Sequence, residues 1–158
     1  MITEGQKAPD FCLDGIDENG DEKVFCLNDL KNMGMSILYF YPKDNTPGCT
    51  KEACDFRDNL NRLTTKARVF GVSPDSIKSH ITFKQRQSIN FPLLSDPEKK
   101  VLEAYGAFGE KKMYGKLVKG VIRSTFILDS EGNVLKKWSP VRVKGHVDKV
   151  LEFLSGQK

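Results

Sequence analysis

Three apolar runs of strand length set the frame of the chain: "MSILYFY" (Met35 to Tyr41), "ARVFGVS" (Ala67 to Ser73) and "VIRSTFILD" (Val121 to Asp129). A short continuous run of this kind predicts a strand buried on both faces. Between the runs the spacing becomes helical. Ala53, Phe56, Leu60 and Leu63 recur on one helical face, and Cys49 falls on the same face. Ser73-Pro74 reads as a cap followed by proline at the first helical position, opening a helix to about Ser88. "FPLLSDP" predicts a short strand and turn, and "EKKVLEAYG" a short helix stopped by Gly106. Val147, Val150, Leu151 and Leu154 form the apolar face of a last helix. At the front, "FCLDGIDENGDEKVFCL" predicts two strands around a turn at Asn19-Gly20. "SEGN" turns the third long run into "VLKKWS".

Strands alternating with helices predict an α/β layer architecture, and the antiparallel end pieces make the sheet mixed. This order fits a thioredoxin-like fold, a central mixed sheet flanked by helices with an N-terminal β-hairpin. The length, 158 residues, predicts a single domain, 1–158, with a core that folds without staples.

Composition narrows the function. With 39% hydrophobic and 29% charged residues the chain reads as a soluble globular protein. Its net charge is only +4, and its basic residues are scattered. The densest cluster, Lys111 to Lys119, is expected on a solvated loop, so nucleic acid is not an expected partner. No apolar run approaches the roughly 18–20 residues of a membrane span. The opening "MITEGQKAPD" has neither a basic start nor an apolar segment, so no secretory signal is expected. Four cysteines without such a signal point to a reducing compartment, with the cytoplasm as the expected location.

The stretch "YPKDNTPGCTKEACDFRD" holds the candidate chemistry. A helix starting after Thr46 makes Thr46 the N-cap, Pro47 the first helical residue and Cys49 the third. In a capping box that third position holds a carboxylate facing the free N–H groups of the first turn. Here a thiol stands in its place, where the positive end of the helix dipole favours thiolate. Gly48 leaves room for a small substrate, and the Thr46 hydroxyl can donate or accept a hydrogen bond beside the sulfur. Five residues along an ideal helix separate Cα atoms by about 8–9 Å, whereas a disulfide needs less than about 7 Å. Cys49 and Cys54 therefore cannot bridge while the helix is intact. Unwinding of its first turns would allow a labile bond. Arg123 interrupts an apolar strand, where an unpaired charge is costly. It pairs with an acid there, or it faces an anion such as the Cys49 thiolate.

At these residues the chain resembles the peroxiredoxins. Pro42, Thr46 and Cys49 match the pattern PxxxTxxC, and "FYPKDNTPGCTKEACDFRD" looks like the peroxiredoxin Q or bacterioferritin comigratory protein group. The likeness continues through "GVSPDS", "FPLLSDP", "YGKLVKGVIRSTFILD" and the last helix. The resemblance implies reduction of hydroperoxides, with Cys49 as the peroxidatic and Cys54 as the resolving cysteine. Thr46 and Arg123 match the peroxide-positioning residues, and Pro42 the one that shields the pocket. It implies a thioredoxin-like or glutaredoxin-like dithiol as reductant, and no metal, haem or flavin. A monomer is the expected state, with a weak dimer as the alternative.

Several residues receive plainer readings. Cys12 and Cys26 flank the hairpin turn symmetrically and are expected as small core residues that stay reduced. His80 and His146 are expected on helix surfaces, and Trp138 in strand packing. A zinc-binding module using Cys49, Cys54 and a histidine lacks a second cysteine pair at matching spacing. A protein thiol–disulfide oxidoreductase would favour C-x-x-C, which is absent.

Overall fold

The structure is a computed structural model that describes residues 2–157. Seven strands form one mixed sheet in the order β2-β1-β5-β4-β3-β8-β9. They are β1 (Cys12–Ile16), β2 (Glu22–Cys26), β3 (Met35–Phe40), β4 (Ala67–Ser73), β5 (Leu93–Ser95), β8 (Ser124–Leu128) and β9 (Val134–Trp138). The pairs β3–β4 and β4–β5 run parallel, while β1–β2, β1–β5, β3–β8 and β8–β9 run antiparallel.

The continuous apolar runs are explained by two cores. Along β3, Ile37 and Tyr39 point to one layer, Leu38 and Phe40 to the other, as the two-residue period of a strand requires. The first layer holds α2 (Pro47–Asp58), α3 (Leu60–Leu63), α4 (Ile77–Gln87) and α6 (His146–Ser155). The second holds α1 (Leu27–Lys31) and α5 (Lys100–Ala104). Burial of Phe56, Phe83, Val150 and Leu154 against the first face is the main force holding these helices.

Several expectations are corrected. The helix opened by Ser73-Pro74 starts three residues later: Ser73 closes β4 and is fully buried, and Ser76 is the cap, accepting from the Ser79 N–H at 3.1 Å. The expected loop around Lys111 to Lys119 is a hairpin of β6 (Phe108–Met113) and β7 (Lys116–Val121). It lacks a period-2 apolar pattern because, apart from Phe108 and Val121 at its base, no core covers its faces. The third apolar run is divided, since β7 ends at Val121 and β8 begins at Ser124. Arg123 thus lies at a junction, outside both strands.

Cys12 and Cys26 are directly paired across β1 and β2, as their symmetry suggested, but they are joined as a disulfide. Cys12 is exposed and Cys26 half-buried, so neither is a core thiol. The histidines are also relocated. His80 and His146 are buried, each on the packed side of its helix. Trp138 packs edge-on against His146 and Phe153.

Candidate active site

Helix α2 starts where β3 delivers the chain to the loop Tyr41 to Thr46. Thr46 occupies the N-cap position with extended backbone, Pro47 opens the helix, and Cys49 is its third residue. The first-turn N–H groups have no partner within the helix and face the region before it. The Thr46 hydroxyl donates to the Lys43 carbonyl at 2.7 Å and makes no cap bond. It is therefore fixed as an acceptor toward other donors, and it closes the loop on itself. Pro42 is half-buried in the same loop.

The loop is braced from α4. Asp44, 4% exposed, accepts from the Tyr41 hydroxyl at 2.6 Å and the Ser79 hydroxyl at 2.8 Å, and lies 2.7 Å from His80 Nδ1. His80 Nε2 donates to the Leu94 carbonyl at 2.8 Å. Asp75 accepts from the Asp44 N–H and the Ser73 hydroxyl. These buried polar groups satisfy one another and fix the entry to α2. Asp44, Asp75 and His80 are the described residues whose possible ligand atoms converge, and no cysteine joins them.

Cys49 is 2% exposed, and Arg123 reaches it from the β7–β8 junction, Nη2 lying 3.4 Å from Sγ. The route is the register of β3 on β8: Phe40 faces Ser124, so the residue before Ser124 arrives beside the loop after Phe40. A Cβ on Gly48 would lie 3.3 Å from Arg123 Nη2, so this glycine makes room for the guanidinium. The two readings of Arg123 hold together, because Nη1 also pairs with Glu52 Oε1 at 2.6 Å. Glu52 is fully buried, and burial pushes its pKa up to about 7 against the pull of Arg123. Burial pulls Arg123 down, but Glu52 and Cys49 beside it leave it raised on balance. The guanidinium stays charged next to the sulfur.

Sequence reading missed Glu52 and Tyr39. Glu52 lies three residues after Cys49 on the same helix face, a spacing that was legible. Its second oxygen and the Tyr39 hydroxyl have no hydrogen-bond partner among the described residues. Both belong to the floor beneath Cys49, where Tyr39 stacks on Tyr41 and Phe56. Burial, then the charge of Glu52, raises the Tyr39 hydroxyl well above its ordinary value, so it stays protonated. His146 lies 2.8 Å from the Thr125 hydroxyl, and burial lowers its pKa to about 4, leaving it neutral.

Cys54 has different surroundings. It is half-buried, and Sγ lies 3.6 Å from the Gln87 side-chain oxygen at the end of α4. Arg57, one turn on, donates to the Gln87 carbonyl at 2.5 Å. Gln87 thus holds both residues of one α2 face. Both Cys49 and Cys54 are free thiols.

A half-buried and a buried thiol on one helix, with an arginine at the buried sulfur, describe a site for thiolate chemistry on a small electrophile. Residues 4–137 match the AhpC/TSA family. Peroxiredoxin Bcp of Bacillus subtilis is 46% identical over 97% of this chain and 95% of its own length. Among solved structures, a Xylella fastidiosa PrxQ mutant superposes with a TM-score of 0.88 at 35% identity, covering 98% of this chain and 96% of that one. The Xanthomonas campestris bacterioferritin comigratory protein, described for its alkyl peroxide reduction activity, gives 0.78 at 40% identity over 90% of each chain. The chain belongs to the AhpC/TSA family and, within the peroxiredoxins, to the peroxiredoxin Q/Bcp group. Its fold is the thioredoxin-like one of those structures, and its activity class is that of a thiol-dependent peroxidase.

Proposed function

We propose that Cys49 is the peroxidatic residue of a one-domain hydroperoxide reductase spanning residues 1–158, and that Cys54 resolves it. The observation that carries this reading is the Arg123 guanidinium 3.4 Å from the Cys49 sulfur at the start of α2. Thiolate attacks one peroxide oxygen, the O–O bond breaks, and water or alcohol leaves with a proton. Arg123 and the first-turn N–H groups hold the charge that moves onto oxygen. Thr46 shapes the loop and offers an acceptor to the peroxide O–H, and Pro42 screens the pocket from water. Cys49 becomes a sulfenic acid. Cys54 thiolate then attacks its sulfur and displaces hydroxide, which leaves as water.

The bond requires α2 to open. Residues five apart on a helix are separated by about 8–9 Å between Cα atoms, beyond the reach of about 7 Å. A thioredoxin-like or glutaredoxin-like dithiol then reduces the bond, supplying two electrons and becoming a disulfide itself, without metal, haem or flavin. Hydrogen peroxide and organic hydroperoxides are the proposed substrates, the cytoplasm the proposed location and a monomer the proposed state. No described helix is long and apolar enough to cross a membrane.

Intact-mass measurement with one equivalent of peroxide tests the assignment. The wild type should lose two hydrogens, and peptide mapping should place the bond at Cys49–Cys54. Cys54→Ser should react with peroxide at the same first rate but gain oxygen on Cys49. If Cys54→Ser turns over with the dithiol reductant as fast as wild type, Cys54 is not the resolving residue.

A further inference from the structure

The Cys12–Cys26 disulfide lies outside the machinery described so far. We propose that it is a second, independent redox couple, reduced by the same class of dithiol and re-formed by hydroperoxide. This rests on the peroxidase class of the chain for its oxidant and reductant, and not on the role assigned to Cys54.

The hairpin does not need the bond for closure. Its turn is held by Asp17, whose carboxylate accepts from the N–H groups of Asn19 and Asp21 at 2.9 and 3.0 Å. Gly20, with φ of +87°, supplies the left-handed residue that this turn requires. The ladder pairs β1 with β2 throughout, and beyond the cysteines Leu27 N–H still donates to the Phe11 carbonyl at 3.0 Å. The hairpin is also docked by its own side chains, Phe11 edge-on to Tyr105 and Phe25 edge-on to Phe70. A staple gains most where it closes a long open loop. Here the ends are already together, so opening the bond forfeits no other contact.

Access is the second observation. Cys12 is exposed and borders a surface recess with Leu13, Asp14, Ser95, Asp96 and Lys100. Cys26 is on β2, one of the two edge strands of the sheet, which among the described residues pairs with β1 alone. The exposed position of Cys12 beside the recess offers an approach to an incoming chain, which can align along the edge of β2. Buried, covered cystines resist exchange, whereas exposed ones are the exchangeable class.

The chemistry balances within the known activity. A reductant thiolate attacks Cys12 Sγ, the Cys12–Cys26 bond breaks, and Cys26 leaves as a thiolate that takes a proton. The second reductant thiol attacks the mixed disulfide and frees Cys12, so the reductant becomes a disulfide and the pair gains two electrons. In reverse, Cys12 thiolate takes one oxygen from a hydroperoxide and alcohol leaves. Cys26 thiolate then displaces hydroxide from the sulfenic acid, giving the disulfide and water.

The test uses full-length Cys49→Ser/Cys54→Ser protein, in which only this pair can respond. With thioredoxin, thioredoxin reductase and NADPH, one NADPH should be consumed per chain and two thiols should appear. tert-Butyl hydroperoxide should then remove two hydrogens again. Adding Cys12→Ser and Cys26→Ser should abolish both signals. As a check that does not depend on that variant folding, alkylation mapping of dithiol-treated wild type should label Cys12 and Cys26. A bond that opens only in denaturant makes the pair a structural staple and overturns the proposal. So does a pair that stays reduced after peroxide.

Discussion

The two ends of the Cys49–Cys54 segment of α2 use similar parts for opposite purposes. At Cys49 the thiol is buried, and its arginine comes from a distant strand junction and is locked by a buried carboxylate. At Cys54 the thiol is half-buried, and its neighbouring arginine is one turn away on the same helix, tied to a backbone carbonyl of α4. The first arrangement is preorganised, so little has to move when charge develops. The second is a pair of surface contacts of modest strength, which α2 can release when it opens. The contrast suits the proposed roles, since a nucleophile needs a fixed field and a resolving group needs freedom to travel.

Cys49→Ser breaks the comparison most completely. Turnover through Cys49 should disappear in folded protein, because a serine hydroxyl stays protonated here, leaving only what the Cys12–Cys26 pair carries; substantial turnover that survives removal of that pair as well would place the nucleophile elsewhere.

Arg123→Met should lower the peroxide rate by about 10²-fold, the loss typical of one oxyanion donor. Stopped-flow kinetics of the first reaction with peroxide would show it. The variant also strips Glu52 of its partner. A buried carboxylate left alone costs stability or takes a proton, so a lower melting temperature is expected. An unchanged rate would reduce Arg123 to the partner of Glu52.

Gln87→Ala tests the other end. It removes the side-chain acceptor at Cys54 and leaves the backbone carbonyl for Arg57. The peroxide step should be unchanged, while disulfide formation should quicken by a few-fold, since a net hydrogen bond contributes about 0.5–1.5 kcal/mol. Stopped-flow fluorescence that resolves the two phases would show it. A slower second phase would mean that Gln87 aligns Cys54 instead of restraining it.

Glu52→Gln sharpens the comparison through pH. Burial raises the folded Glu52 value from 4.5 to about 7. The folded state then holds a proton the unfolded chain has lost, so this share of stability is complete below 4.5 and lost as pH rises to about 7. His146 opposes it: lowered from 6.5 to about 4, its share is present above 6.5 and lost as pH falls to about 4. In the wild type the two slopes offset each other. Glu52→Gln should leave stability rising with pH across this window, and His146→Gln should leave it falling. Denaturant midpoints that keep the wild-type pH profile in both variants would refute the offset.

The pattern of apolar runs made the layers, the central strands and the frame of α2 legible, because both faces of those strands are covered. What escaped the sequence was set by contacts distant along the chain. Arg123 could be read as paired or as facing the thiolate, and only the β3–β8 register shows that it does both. The histidines were misplaced because histidine is usually polar surface. Yet His146, Val150 and Leu154 share an i, i+4 stripe, and His80 stands three residues before buried Phe83, so the signal was present. The symmetric placing of the hairpin cysteines about the turn agrees with their pairing across the ladder, but spacing carries no information on oxidation state.

The arginine that reaches Cys49 is 74 residues away in sequence, and this has a consequence for how the protein comes into being. Helix α2 is a local structure, while the β3–β8 pairing closes a long loop and belongs to the slow, high-contact-order part of folding. A chain still emerging from synthesis carries Cys49 without its guanidinium. Its sulfur then lacks the donor that the β3–β8 pairing later brings to 3.4 Å. Reactivity toward peroxide therefore reports the finished topology, and during unfolding it should vanish together with the β3–β8 pair, even while α2 retains its helical signal.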